Sequence, residues 1–281
     1  MKTSFSGKPW LLFTVAICLT LLVVGFATFA SASDSLLDTI KHRGKIIVGV
    51  QTSAPPASMV NEKGEIVGFE VDLAKAIAEK LGVKVEFKQL TDATRIPSIQ
   101  QGATDIVIAT MTHTRERDKV VDFSITYFVT GQRIMVPKNS SIKGIADLAG
   151  KKVGTTRGST SEQNIARKQP KAKILAFDDI PTAFLALQQG AVDAISSDES
   201  VLLSVKADAK NPNAWKVVGE YFSSEPFGIA MRENDSKLRD FINNALMELW
   251  TSGEYRKIYD KWYGPGTKYE LPLNFEMEVW P

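Results

Sequence analysis

Cysteine and histidine are almost absent from this chain of 281 residues. Its one cysteine is Cys18, and its two histidines are His42 and His113. A zinc site built from histidine and cysteine ligands is therefore excluded. The sequence also lacks a G-x-S-x-G nucleophile motif and a P-loop, and the glycines between Gly154 and Gly158 lack the spacing of a dinucleotide fingerprint. We therefore expect no nucleotide and no cofactor.

Long runs of like charge are lacking as well. The 34 Lys and Arg residues and the 32 Asp and Glu residues are mixed along the chain. A basic surface for nucleic acid or for a membrane is therefore not expected. The length permits one or two domains, each with a proper hydrophobic core.

The N-terminus differs from the rest of the chain. Two lysines precede an uncharged apolar segment from Trp10 to Phe29, and Ala30-Ser31-Ala32 follows it. This pattern predicts a Sec signal peptide over residues 1–32 that is cleaved after Ala32 and leads to the periplasm. Cleavage would remove Cys18 and leave no thiol. Because the segment approaches the roughly 20 residues that span a bilayer, an uncleaved anchor is the alternative.

One short tract occurs twice. Gln100-Gln101-Gly102-Ala103-Thr104-Asp105-Ile106 is similar to Gln188-Gln189-Gly190-Ala191-Val192-Asp193-Ala194, and each copy follows an Ile-Pro helix start. A period of roughly ninety residues is too long for a solenoid and suits two similar lobes. Two lobes that face each other create a cleft, which is where small ligands bind. Chance similarity of two helix C-termini is the alternative.

Strand and helix signals alternate along the chain, which predicts an α/β fold. In each lobe we expect a mainly parallel sheet flanked by helices. The predicted strands are 45–50, 83–87, 105–109, 152–155, 173–177, 192–196 and 227–231, and the predicted helices are 68–81, 95–101, 160–168, 181–189 and two between 238 and 262. The second lobe (131–223) would be inserted into the first (33–130 and 224–281). The two crossings would form a two-segment hinge that closes around a ligand.

Candidate ligand groups follow the predicted strands, where ligands of open α/β sheets bind. Thr110 and Thr112 face the same side of an extended segment, and Arg117 can reach back to form paired hydrogen bonds with a carboxylate. The alternative is that residues 115–118 are a solvated helix start. In the other lobe, Ser159 and Thr160 begin a helix, which favours an anion.

Asp198 ends a predicted strand and can accept from an ammonium group. The alternative role of Asp198, Ser159 and Thr160 is that of helix N-caps. Anion donors together with one isolated carboxylate suit a zwitterion, which is what a free amino acid is. Burial of a zwitterion requires complementary groups from both lobes.

Four segments together resemble the family 3 extracellular solute-binding proteins, which serve ABC importers of polar amino acids. They are Gly68-Phe69-Glu70-Val71-Asp72-Leu73-Ala74, Thr110–Arg117 with Val121-Asp122-Phe123-Ser124, Arg157-Gly158-Ser159-Thr160, and Ser197-Asp198. The resemblance implies a two-lobed periplasmic-binding-protein fold of type II, a monomer without enzymatic activity, and membrane permease subunits as partners. It also implies that Arg117, Thr112, Ser159 and Thr160 hold the ligand's α-carboxylate, while Asp198 and the Thr110 carbonyl hold its α-ammonium.

The sequence departs from the family pattern where specificity is set. Ala54 stands where many members have an aromatic residue, and Gln51 stands where Asp or Lys is frequent. Arg95 resembles the arginine that members use for acidic ligands, with an exposed helix charge as the alternative. We therefore expect glutamate, aspartate or glutamine as the ligand.

Two other functions remain open at this point. The first is a periplasmic dehydratase or lyase of the cyclohexadienyl-dehydratase type, for which Glu70 and His113 are the candidate acid and base. The second is an amino-acid sensor that an uncleaved N-terminus keeps on the membrane.

Overall fold

The structure is a computed structural model, which describes residues 1–2 and 35–281. Nearly all of the predicted signal peptide, Cys18 and the expected cleavage site after Ala32 lie outside these residues. Among the residues that the structure describes, no helix is long and apolar enough to cross a membrane.

The first lobe contains the N-terminal part of the described chain and its return from the second lobe. Its elements are α1 (Leu36–Arg43), β1 (Lys45–Val50), β2 (Ser53–Ala54), β3 (Ser58–Val60), β4 (Ile66–Val67), α2 (Phe69–Leu81), β5 (Lys84–Gln89), α3 (Arg95–Gln100), β6 (Ile106–Val107) and β7 (Asp122–Thr130). Two 3₁₀ turns, Asp92–Thr94 and Arg117–Lys119, follow β5 and β6.

The second lobe lies between β7 and the returning strand. Its elements are β8 (Gln132–Pro137), a 3₁₀ turn (Ile145–Leu148), β9 (Lys152–Thr156), α4 (Thr160–Lys168), β10 (Lys173–Phe177), α5 (Ile180–Gln188), β11 (Ala194–Asp198), α6 (Glu199–Asp208), a 3₁₀ turn (Pro212–Ala214) and β12 (Trp215–Val218). The chain then returns to the first lobe as β13 (Glu225–Met231), α7 (Ser236–Thr251) and α8 (Glu254–Tyr263).

Each lobe has one five-stranded sheet, with the orders β5-β1-β6-β13-β7 and β10-β9-β11-β8-β12. In both sheets two neighbouring pairs are parallel and two are antiparallel. The sheets are therefore mixed, and the expectation of mainly parallel sheets is corrected. The reversed strands are β13 and β8, through which the chain enters from the other lobe. The chain enters each lobe at the cleft, so β13 and β8 run away from the cleft. The other four strands of each sheet run in the opposite direction and end at the cleft.

The repeated tract has the same local structure in both lobes. Gly102 follows α3 with φ 67° and Gly190 follows α5 with φ 71°, and both N–H groups donate to a carbonyl of the preceding helix. Glycine adopts this left-handed conformation without the steric cost that a Cβ brings. A buried strand, β6 or β11, follows each turn, so the prediction of a helix–turn–strand unit in both positions is confirmed.

A segment beyond α8 packs on the first lobe and reaches the second. Leu271, Leu273 and Phe275 contact the core of the first lobe. The Tyr269 hydroxyl donates to Asp208 Oδ1 of α6 at 2.8 Å, and Lys268 forms an ion pair with the same carboxylate. The C-terminal segment thus contacts both lobes.

Candidate functional site

The strand ends of the two sheets line a cavity between the lobes. It is lined by residues of both lobes, and all of the residues that the sequence predicts as ligand-binding are among them. These are Gln51, Arg95, Thr110, Thr112 and Arg117 of the first lobe and Ser159, Thr160 and Asp198 of the second. The structure therefore brings the predicted set together; that these residues bind a ligand remains a prediction.

Arg117 is buried, whereas Arg115 and Glu116 beside it are exposed. Its Nη1 donates to the Thr112 carbonyl at 2.7 Å, and its Nη2 donates across the cleft to the Gly158 carbonyl at 3.3 Å. Burial lowers the pKa of Arg117 to about 10, so the guanidinium remains charged at neutral pH. The solvated helix start thus describes Arg115 and Glu116 but not Arg117.

The backbones of the two lobes approach each other closely at Gly158. Its φ is 77°, and a Cβ placed on it would lie 3.2 Å from the Cα of Ala93 in the first lobe. Both the left-handed backbone and the narrow gap therefore require glycine here. This close approach brings the N-terminus of α4 against Arg117.

The three hydroxyl groups that we expect to donate to a carboxylate have protein acceptors instead. The Thr112 and Thr160 hydroxyls donate to Glu225 Oε2 at 2.5 and 2.7 Å. Ser159 caps α4 by accepting from the Glu162 N–H at 3.1 Å, and it donates to a carbonyl at 2.7 Å. The anion donors that remain are Arg117 and the backbone N–H groups in the first turn of α4. Glu225, which accepts from Thr112 and Thr160, is absent from the predicted site residues.

Thr110 is held in an unusual conformation by a buried carboxylate. Its φ is 45°, a left-handed value that is uncommon for a residue with a Cβ. Its N–H donates to Glu70 Oε1 at 2.6 Å, and its hydroxyl donates to Gln51 Oε1 at 3.1 Å. Burial raises the pKa of Glu70 to about 7, although the Tyr127 hydroxyl and the Thr110 N–H donate to it. Glu70 therefore supports the cavity wall from behind.

Asp198 has an unpartnered buried oxygen. It is the last residue of β11 and stands at the N-cap position of α6, but its side chain makes no capping hydrogen bond to that helix. Its Oδ1 has no hydrogen-bond partner among residues 35–281. Burial, together with the negative charges of Glu225 and Asp92, raises the pKa of Asp198 well above its ordinary value. A cation in the cavity would relieve this cost of holding the charged carboxylate.

Arg95 is 2% exposed, so the alternative of a surface helix charge is wrong. Its Nη2 lies 2.7 Å from Asp92 Oδ1, and its Nη1 donates to the Ala109 carbonyl at 2.7 Å. Asp92 also lines the cavity. Sequence reasoning missed Asp92, although its position three residues before Arg95 is a signal for an ion pair.

With both of its aspartates ionised, the cavity wall is balanced in charge. Two arginines, Arg95 and Arg117, face two aspartates, Asp92 and Asp198. The apolar part of the lining consists of Ala54, Ile180 and Val201.

The two candidates for acid–base chemistry lie elsewhere. His113 stacks on Phe123 with ring centroids 4.5 Å apart, and its Nε2 lies 2.7 Å from Asp118 Oδ1. Neither His113 nor Glu70 lines the cavity. The only carboxylates that line this cavity are therefore those of Asp92 and Asp198.

Comparison with known proteins agrees with this architecture. The family model of bacterial extracellular solute-binding proteins, family 3, matches residues 46–265. The chain is 41% identical to the ABC transporter glutamine-binding protein GlnH of Bacillus subtilis, over 85% of this chain and 88% of that protein.

Two solved structures are similar along nearly their whole length. An ancestral arginine-binding protein bound to glutamine is 49% identical with a TM-score of 0.76, over 79% of this chain and 99% of that one. The ancestral amino acid-binding protein AncCDT-1, a precursor of cyclohexadienyl dehydratase, is 41% identical with a TM-score of 0.75, over 81% of this chain and 99% of that one.

Proposed function

The chain belongs to the bacterial extracellular solute-binding proteins of family 3, and we propose that it captures glutamine in the cavity between its lobes and delivers it to the permease subunits of an ABC importer. The two segments that connect the lobes would act as the hinge, with the boundaries 33–130, 131–223 and 224–281. Ligand contacts from both lobes then stabilise the closed state.

One observation carries this proposal. The guanidinium of Arg117 in the first lobe lines the same cavity as Asp198 in the second lobe, whose Oδ1 has no hydrogen-bond partner within residues 35–281. An anion donor and an isolated carboxylate are complementary to a zwitterion, and both are buried where a charge requires a counter-charge. A free amino acid supplies the two opposite charges on adjacent groups.

The groups divide between the two ends of the ligand. Arg117 and the N–H groups that begin α4 would hold the α-carboxylate, with Thr112, Ser159 and Thr160 shaping this seat. Asp198 and the Thr110 carbonyl would hold the α-ammonium. Gln51 and Arg95 would then face the ligand's side chain.

The charge balance favours a neutral side chain. Because Arg95 is paired with Asp92 at 2.7 Å, its charge is already compensated. Glutamate would add an uncompensated negative charge to a neutral wall, and arginine would add a positive charge beside Arg95. Glutamine adds none, and its amide can hydrogen bond with Gln51. Two of the relatives described above bind or hold glutamine, which supports this choice.

Export completes the proposal. We propose that residues 1–32 direct the chain to the Sec pathway and that the mature protein acts in the periplasm, without catalysing a reaction. Sequencing of the mature N-terminus tests this. A start at residue 33 agrees with cleavage, and retention of residues 1–32 favours the membrane-anchored sensor.

A thermal-shift screen over the twenty common amino acids, followed by calorimetry, tests the ligand. At a concentration 100 times Kd, binding to the folded form adds about 2.7 kcal/mol. For a domain of this size that raises Tm by roughly 5 to 10 °C. Glutamine should give the largest shift, and no shift with any amino acid would refute the proposal.

The enzymatic alternative requires a separate assay, since AncCDT-1 is related to a dehydratase. Incubation with prephenate-like acids and analysis of the products should show no turnover. Product formation that depends on Asp92 or Asp198 would favour the lyase.

A further inference from the structure

Glu225 is a buried carboxylate at the start of β13, the strand by which the chain returns to the first lobe. It is 1% exposed. Its Oε2 accepts from Thr112 Oγ1 at 2.5 Å and from Thr160 Oγ1 at 2.7 Å, and its Oε1 accepts from Asn164 Nδ2 at 3.2 Å. Glu225 itself does not line the ligand cavity, but Thr112 and Thr160 do.

Glu225 moves with the first lobe. β13 pairs with β6 and β7 in that lobe's sheet. The segment that contains Thr112 is also bonded to β13, because the His113 N–H donates to the Pro226 carbonyl at 2.8 Å and the Gly228 N–H donates to the Met111 carbonyl at 3.1 Å. The hydrogen bond between Thr112 and Glu225 therefore lies within one lobe.

The other two donors belong to the second lobe. Thr160 begins α4, and Asn164 lies on the next turn of the same helix. Gln132, the first residue of β8, fixes both of them: its Nε2 donates to Thr160 Oγ1 at 2.9 Å, and its Oε1 accepts from Asn164 Nδ2 at 2.9 Å. Separation of the lobes therefore breaks the bonds of Glu225 to Thr160 and Asn164 and leaves its bond to Thr112.

We propose that Glu225 is a positioning residue that latches the closed state and slows release of the ligand. A carboxylate is suited to this role, because it accepts several hydrogen bonds at once and each is charge-assisted. Through Thr112, whose carbonyl accepts from Arg117, it also holds the backbone that orients the guanidinium.

The latch predicts an asymmetric effect on the binding kinetics. A ligand meets the open protein before Thr160 and Asn164 reach Glu225, so the association rate does not depend on these bonds. Dissociation requires opening, which breaks them. Because this inference rests on the proposed function, the ligand is first identified for the wild-type protein.

Stopped-flow fluorescence with glutamine, or with whichever amino acid the wild-type screen identifies, tests the latch. Glu225→Gln replaces an acceptor oxygen by a donor NH₂ at constant shape. We expect koff to rise roughly tenfold, which corresponds to about 1.4 kcal/mol, with kon within about twofold of wild type. Asn164→Ala should raise koff as well. Because both variants break the same contact, koff of the double variant should rise by less than the product of the two single increases.

Asn243→Ala is the matched control. Asn243 is 4% exposed, and its Oδ1 accepts from the Ile125 N–H at 2.8 Å within the first lobe. The substitution Asn243→Ala should lower Tm without changing koff. An unchanged koff in Glu225→Gln, an effect confined to kon, or fully multiplicative effects with Asn164→Ala would overturn the latch.

The latch and the proposed function fail separately. A wild-type protein that binds no amino acid refutes the function, and small-angle scattering then decides the latch without a ligand. Glu225→Gln should have a larger radius of gyration than the wild type, because the closed state loses its contacts across the lobes. Identical scattering curves in that case would refute the latch.

Discussion

Replacement of Asp92 by asparagine removes one negative charge from the cavity wall and keeps the shape of the side chain. In the wild-type protein Asp92 lies 2.7 Å from Arg95, and the two side chains are 9% and 3% exposed. Asparagine retains an acceptor oxygen, and Arg95 keeps its bond to the Ala109 carbonyl. The wall therefore changes from neutral to one net positive charge with little change in shape.

The size of the effect follows from the burial of the pair. Opposite unit charges 4 Å apart interact by about 4 kcal/mol at an effective dielectric constant of 20. Desolvation of a ligand carboxylate removes part of this gain. We therefore expect the ratio Kd(Glu)/Kd(Gln) to fall by about 10- to 100-fold in Asp92→Asn, which corresponds to about 1.4 to 2.7 kcal/mol.

Isothermal titration calorimetry with both ligands measures this ratio directly. Asp105→Asn is the matched control, because Asp105 is also buried and paired with an arginine, Arg43, but does not line the cavity. Both variants should lose stability, since each leaves an arginine without its counter-charge. Only Asp92→Asn should change the ratio. An unchanged ratio in Asp92→Asn would show that Arg95 does not face the ligand's side chain.

Three other results follow from the same site. Arg117→Ala should weaken amino-acid binding more than 100-fold in calorimetry, because a buried ligand carboxylate loses its counter-charge, whereas the exposed Arg115→Ala should bind normally. Asp198→Asn should weaken the binding of glutamine strongly and the binding of a glutamine analogue that lacks the α-amino group much less. Equal losses of affinity would exclude contact between Asp198 and the ammonium group. Glu70 should make stability depend on pH, because its pKa is raised from 4.5 to about 7 by burial. The folded state then holds a proton that the unfolded state releases, so stability falls by about 3 kcal/mol between pH 4.5 and 7 and is level above. Denaturant unfolding should show a steeper slope in the wild type than in Glu70→Gln, where the raised pKa of Asp198 still contributes; parallel curves would contradict the role of Glu70.

Local patterns in the sequence predict much of this fold. The helix 68–81 is observed as α2, and the two helices predicted between 238 and 262 are observed as α7 and α8, separated at Gly253. The strand 105–109 is shorter than predicted, because regular pairing is limited to Ile106 and Val107. Hydrophobic period and glycine turns depend on neighbours in sequence, which is why these elements are predictable.

The crossing strands β7 and β8 are absent from the predicted strands. They carry no simple alternation, because the buried residues of β7 occur as the adjacent pairs Phe123-Ser124 and Tyr127-Phe128, and three consecutive residues of β8 are buried. The same crossings make the sheets mixed. Strand order follows from the path of the chain between the lobes, and the hydrophobic period along a single strand carries no information about that path.

The amino-acid sequence alone indicates that two α/β units repeat and that hydroxyl, arginine and aspartate side chains follow their strand ends. How these groups are paired depends on the folded arrangement of the chain. Arg95 is neutralised by Asp92, and Thr112 and Thr160 donate to Glu225 from 113 and 65 residues away. A buried charge takes its partner from whatever folding brings into contact, so chain neighbours predict where the polar groups lie but not which of them remain free for a ligand.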